Sequence, residues 1–298
     1  MSTETVDPRF VDIDHWPTHA AVEAMLEGQL AAIAALQCQV GVIAAAAEAA
    51  AARLRRTGRL VYAGAGTSGR VAVQDGVELF PTYSWPRDRL AFLMAGGPSA
   101  LTESAEGAED DADVARGETA ALELGPSDVL IGVAASGRTP YTLAAVETAR
   151  AAGALTIGVA NNPGAPILTA AHHGLLADTG SEVVAGSTRM KAGTAQKAVL
   201  NMLSTAIMLR RGLVHRGLMV NMRVSNEKLL ERGRSIVRDI AGVDETEAAR
   251  ALEEGGLEIK HGVLIALGAT GAEADALLDE HHDNLRGAMA AWRSRAAG

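Results

Sequence analysis

Arg59-Leu60-Val61-Tyr62-Ala63-Gly64-Ala65-Gly66-Thr67-Ser68-Gly69-Arg70 decides the fold. A short apolar run stops at a Gly-Ala-Gly turn, and a helix is predicted from Ser68 to about Leu79, so the stretch reads strand, loop, helix. The pattern then recurs. Arg89–Leu93 reads as a strand ending at Gly96-Gly97, and Val129–Val133 as a third, running into Ser136-Gly137-Arg138 and a helix from Pro140. Leu155–Val159 is a fourth and Gly174–Ala177 a weaker fifth. Strands alternating with helices predict an α/β fold, a doubly wound, mainly parallel five-stranded sheet with helices on both faces. Ligands of such sheets bind beyond the carboxyl ends of the strands, where the unusual residues of this sequence fall.

Outward from this centre the chain is helical. Residues 1–17 read as a polar arm over the surface or over a partner subunit. Thr18–Arg56 reads as an alanine-rich stretch of two helices or one bent one. A long apolar helix is expected from Ala195 to Arg211, and Ser225–Ala296 reads as short helices broken by Gly242, Gly255-Gly256, Gly268 and Gly271. The expected organisation is an arm with helices over 1–57, a sheet domain over 58–224 and a small C-terminal helical region over 225–298.

Composition narrows the function. The 298 residues carry 27 Lys and Arg against 36 Asp and Glu, a net charge of −9, with no basic tract, which argues against a nucleic-acid binder. A single cysteine, Cys38, excludes a disulfide framework and a multi-cysteine zinc site and fits a reducing cytosol. No apolar run is read as long enough to span a bilayer, and no signal-peptide pattern is read at residues 1–7, so a cytoplasmic protein without a membrane partner is expected.

Three loops have the chemistry of a phosphate site. Gly66, Thr67, Ser68 and Arg70 lie where strand feeds helix, where free N–H groups, hydroxyls and a guanidinium suit an anion. Ser136, Gly137, Arg138 and Thr139 repeat the arrangement, and Ser187, Thr188 and Lys191 open the long helix. Any one of them alone reads more readily as a turn with a Ser or Thr cap; three at strand ends favour a ligand. Gly64-x-Gly66-x-x-Gly69 also matches a dinucleotide fingerprint, but the second strand ends in Met94-Ala95-Gly96-Gly97-Pro98 without the acid that would hold a ribose.

Glu78-Leu79-Phe80-Pro81-Thr82-Tyr83, Glu106-Gly107-Ala108-Glu109-Asp110, Ala134–Tyr141 and Gly186–Lys197 together resemble the N-acetylmuramic acid 6-phosphate etherase family, within the sugar isomerase (SIS) superfamily. The resemblance runs from about Ile13 to the C-terminal helices. It implies a SIS-type sheet, a homodimer, no metal or other cofactor, a small sugar phosphate as substrate, and a place in murein recycling. Two departures stand out. The family's Asp-Ala-Ser-Glu-Cys-Pro-Pro-Thr-Tyr is here Asp75-Gly76-Val77-Glu78-Leu79-Phe80-Pro81-Thr82-Tyr83, and the arm lacks the family's Asn-rich opening.

The implied reaction removes the C2 proton of an open-chain sugar and expels the lactyl oxygen from C3, so it needs a base and an acid in different protonation states. The resemblance singles out Glu78 and Glu109. By position alone, Glu78 is either an ordinary exposed helix acid or, among Val71, Val73, Val77 and Leu79, a carboxyl in an apolar setting suited to proton donation. Glu109 lies in an acidic run that ordinarily means a solvated face. His172-His173 and His281-His282 are adjacent pairs whose side chains diverge, against a metal site. His215 is read as a loop histidine before a proton shuttle. The competing functions are an aldose–ketose sugar-phosphate isomerase and a non-catalytic sugar-phosphate sensor resembling the glucokinase regulatory protein.

Overall fold

Strand β1 (Leu60–Gly64) is buried at all five positions and takes a parallel neighbour on each side, which is why its sequence is continuously apolar. The computed structural model describes residues 2–55 and 57–296; Arg56, the expected end of the first helical stretch, lies outside them. With β2 (Leu90–Met94), β3 (Val129–Val133), β4 (Leu155–Ala160) and β5 (His173–Leu176) the sheet runs β2-β1-β3-β4-β5, parallel throughout. The expected five-stranded α/β sheet is present. Its direction of growth reverses at β1, so the crevice beyond Gly64 and Val133 is the topological switch point.

At the opposite ends of the strands, Asp128 ties β1 to β3. Its carboxylate accepts from the Arg59 backbone N–H (2.7 Å), from Arg59 Nη2 (2.7 Å) and from the Gly125 N–H (2.9 Å). Burial alone would raise this carboxyl, but the Arg59 and Gly125 hydrogen bonds and the Arg59 charge hold it below its ordinary value.

The chain divides into two compact units, Met1–Val77 with Arg87–Ile207, and Glu78–Pro86 with Met208–Gly298. This differs from the expected division at 57 and 224. The helix Val40–Leu54 packs on β3, β4 and β5, so it belongs with the sheet, and the long helix Lys191–Arg210 contributes its last turn to the second unit. That unit contains Glu227–Ala241, Glu245–Glu254, Ile259–Ala266, Gly271–Glu280 and Leu285–Ala296, packed around Val237, Leu252, Val263, Leu264 and Leu277.

One expectation is corrected. By length and composition, the helical stretch Thr18–Leu54 is apolar enough to cross a membrane, and only 28% of its most apolar window is buried. Alanines interspersed with Val, Leu and Ile hide this from a search for an unbroken run of large apolar residues. The stretch is Thr18–Ala34, a 3-10 segment Ala35–Gln39, and Val40–Leu54. Gln39 Oε1 accepts from the Leu176 N–H (3.2 Å) and so caps part of the β5 edge.

Candidate active site

Two glycines set the loop after β1. A Cβ on Gly69 would stand 2.4 Å from Met94 Sδ and 2.8 Å from the Gly64 carbonyl, so only Gly-to-Gly contact lets the helix Gly66–Val77 begin directly against the strand end. The loop after β3 turns through Gly137 at φ +62°, where a Cβ would meet Ala165 Cβ at 2.4 Å. Both helix starts therefore sit at the crevice mouth with their N–H groups available to a ligand.

A cavity of about 400 Å³ opens there, lined by Gly66, Thr67, Ser68, Ser136, Arg138, Thr139 and Thr188, with Glu109, Asp110 and Glu4. Seven of the sequence-derived phosphate residues and one of the two acids thus meet. Thr139 is the N-cap residue of Pro140–Ala151 yet makes no side-chain capping bond, so its hydroxyl, 3.4 Å from Ser136 Oγ, is left for the cavity. Ser136 serves its own turn, accepting from the Arg138 backbone N–H at 3.1 Å. Glu109 stands on a 3-10 turn, Ala108–Asp110, entered through Gly107 at φ +74°. It also lines an adjoining cavity of about 190 Å³ that shares Ala65 and Gly66. The cap of the helix Ala112–Ala121 is Asp111, whose carboxylate accepts from the Val114 N–H (2.9 Å).

Other expected ligands are engaged elsewhere. Arg70 donates to the carbonyls of Ala100 (3.0 Å) and Glu103 (3.1 Å), bracing the segment that leads to Glu109. Ser187 lies outside the cavity lining. Lys191 is buried and its Nζ donates to the Thr179 carbonyl (2.9 Å). The N-terminus of the long helix is already filled: Glu182, with no exposed surface, accepts from the backbone N–H of Lys191 (3.0 Å) and Ala192 (2.9 Å). A signal for this was present, because Met190, immediately before the helix, cannot cap it.

Glu78 falls in the second compact unit, immediately before the short helix Leu79–Tyr83, and makes no capping bond. It is exposed, and Val77 beside it is 48% exposed, so the apolar setting read from the sequence is not present around it. The buried acid of this region is Asp75, which accepts from Tyr62 Oη (2.8 Å), Asn201 Nδ2 (2.6 Å) and Ser204 Oγ (3.2 Å). Burial, and then the Asp75 charge, push the Tyr62 phenol well above its ordinary value, keeping it a donor. The bond trio pins Gly66–Val77 to the sheet and to the long helix. Among the described residues no cluster of three or more His, Cys, Asp or Glu could hold a metal ion.

Hydroxyls, an arginine and two helix starts beside a carboxylate are groups that can serve acid–base chemistry on an anionic ligand. A Deinococcus radiodurans protein named N-acetylmuramic acid 6-phosphate etherase is 49% identical over 273 residues, 91% of this chain and 90% of its own. The chain belongs to the N-acetylmuramic acid 6-phosphate etherase family. A second etherase of that name, from Streptomyces avermitilis, is 46% identical over 293 residues, 98% of this chain and 94% of its own. Within this etherase sequence, residues 42–150 match the glucokinase regulatory protein N-terminal SIS domain and 111–206 the SIS domain. An Escherichia coli CFT073 protein solved in complex with a ligand shares the fold, with a TM-score of 0.50, 14% identity, and coverage of 69% of this chain and 96% of that one.

Proposed function

We propose that the protein is a carbon–oxygen lyase that cleaves the D-lactyl ether of N-acetylmuramic acid 6-phosphate, giving N-acetylglucosamine 6-phosphate and D-lactate in murein recycling. The observation that carries this reading is the meeting of hydroxyl-bearing loops and Glu109 in one cavity of a chain with near full-length etherase relatives. The phosphate sits against Thr67, Ser68, Ser136, Thr139 and Thr188, with Arg138 adding charge, and this local cradle outweighs a net charge of −9.

Glu109 takes the C2 proton of the open-chain aldehyde. The electron pair forms the C2–C3 double bond as the C3–O bond breaks, and the departing lactate oxygen takes a proton from a general acid, the role that the family resemblance, and not the cavity geometry, assigns to Glu78. Water then adds across the double bond: the deprotonated general acid takes one of its protons as its oxygen bonds to C3, and Glu109 returns its proton to C2, so both groups regain their starting states. Each general acid–base group is worth about 10²–10⁴-fold in rate.

The working unit in this reading is a cytoplasmic homodimer. What supports it is an exposed apolar stripe, Val22, Leu26, Leu30 and Ile33, on the helix Thr18–Ala34.

The test is D-lactate release from N-acetylmuramic acid 6-phosphate by wild-type protein, Glu78→Gln and Glu109→Gln. Release by the wild type, with a loss of about 10²-fold or more in each variant, is expected. Conversion of an aldose phosphate to a ketose with no lactate would instead establish the isomerase, and full activity in both variants would remove them from the mechanism.

A further inference from the structure

The 3-10 turn Ser2–Glu4 is built into the substrate cavity rather than laid over the surface. Thr3 has no exposed surface. Its Oγ1 accepts from Asn162 Nδ2 (3.0 Å), and its carbonyl accepts from the Gly186 N–H (3.1 Å). Ser2 Oγ donates to Asn162 Oδ1 at 3.0 Å. Asn162, itself buried at the end of β4, also donates to the Ala135 carbonyl (2.8 Å). The turn therefore bridges the loop of Ser136 and the loop of Thr188. This double anchorage leaves Glu4 in the cavity lining with Thr67, Ser68 and Glu109. Its Oε2 lies 3.0 Å from where a Cβ on Gly186 would stand, so the glycine makes room for the carboxylate.

We propose that Ser2–Glu4 is a fixed wall of the cavity and that Glu4 is a specificity residue, accepting a hydrogen bond from a hydroxyl or amide N–H of the sugar. The inference rests on the sugar-phosphate reading above. A carboxylate is acceptor-only and a bound phosphate offers acceptors, so the two repel; the group that complements Glu4 is a neutral donor on the sugar. The phosphate cradle secures any phosphorylated compound, whereas Glu4 separates a sugar phosphate from phosphate itself. A hydrogen bond to a charged group is worth about tenfold or more in affinity.

The test is calorimetric binding of N-acetylglucosamine 6-phosphate and of inorganic phosphate to wild-type protein, Glu4→Ala, Thr3→Val and Thr3→Ser. Selectivity for the sugar phosphate over inorganic phosphate is expected to fall about tenfold in Glu4→Ala. Thr3→Val, which unseats the turn, should lose selectivity too, and Thr3→Ser should keep it. Unchanged selectivity in Glu4→Ala overturns the proposal, whether both ligands bind as before or both bind more tightly because the carboxylate had occupied the cradle. Binding is read without turnover, so a wild-type protein that binds but releases no lactate defeats the etherase reading alone.

Discussion

Glu182 shows how a single side chain can fill a helix N-terminus from within the chain. Its carboxylate supplies the acceptors that the first turn of Lys191–Arg210 lacks, and the favourable position for an anion at that helix end is taken from within. Glu182→Ala is expected to leave two buried N–H groups without an acceptor and to cost about 2–3 kcal/mol, read as a lower urea midpoint. Glu182→Gln, which keeps one oxygen, should cost less. The cavity hydroxyls are proposed to act on the ligand instead. Ser68→Ala and Thr139→Val should each raise KM for the phosphorylated substrate about tenfold with little change in kcat, since phosphate binding is common to ground and transition states. That Thr67, Ser68, Ser136 and Thr139 would meet beyond the strand ends was legible, because each lies in a strand-to-helix turn marked by its own glycine. Arg70, Lys191 and Glu182 were not, because their partners are main-chain groups brought near only by folding: carbonyls at Ala100, Glu103 and Thr179, and N–H groups at Lys191 and Ala192.

At the scale of elements, close approach and charge pairing hold the strands and helices that carry the loops. Gly69→Ala would drive a Cβ into Met94 Sδ and the Gly64 backbone, tilting the helix off the strand end. It is expected to destabilise the fold by about 1–3 kcal/mol and to weaken inorganic phosphate binding as well, both measurable on the purified variant. At the other end of the sheet, Asp128 has a folded pKa below its ordinary value, so its contribution to stability is complete above the ordinary carboxyl range and is lost as pH falls through the lowered value. Asp128→Asn should accordingly lower the urea midpoint at pH 7 and converge with wild type at acid pH. All five strands were legible: β1, β3 and β4, buried throughout, leave continuous apolar runs, whereas the half-buried edge strand β5 reads more weakly. The helix ends were less so. Lys191–Arg210 begins a turn before the expected Ala195 because Glu182 caps it from a distant position. The helix expected from Ser68 to about Leu79 ends at Val77, and Glu78–Pro86 packs in the second unit, with the Arg223 guanidinium 5.5 Å from the Phe80 ring centre.

For the molecule as a whole, the unpartnered apolar surface of Thr18–Ala34 asks what covers it. Val22, Leu26, Leu30 and Ile33 recur at helical spacing and are 46–64% exposed, while Ala32 on the same helix is buried. A membrane is one candidate, because the Thr18–Leu54 stretch is apolar enough. Geometry weighs against it. Seventeen residues of α-helix span about 25 Å, short of the ~30 Å hydrocarbon core, and the continuation Val40–Leu54 buries Ile43, Ala46, Ala47, Ala50 and Leu54 in its own unit. A second copy of the chain, presenting the same stripe, would remove both apolar faces from water and leave Val40–Leu54 packed on the sheet. Replacing Leu26 and Leu30 together by Glu places charge where that contact would close. Light scattering is expected to find a dimer for wild type and a monomer for the double variant, with the circular dichroism of the fold retained. A wild-type protein that is monomeric in solution and floats with lipid vesicles would assign the stripe to a membrane surface instead.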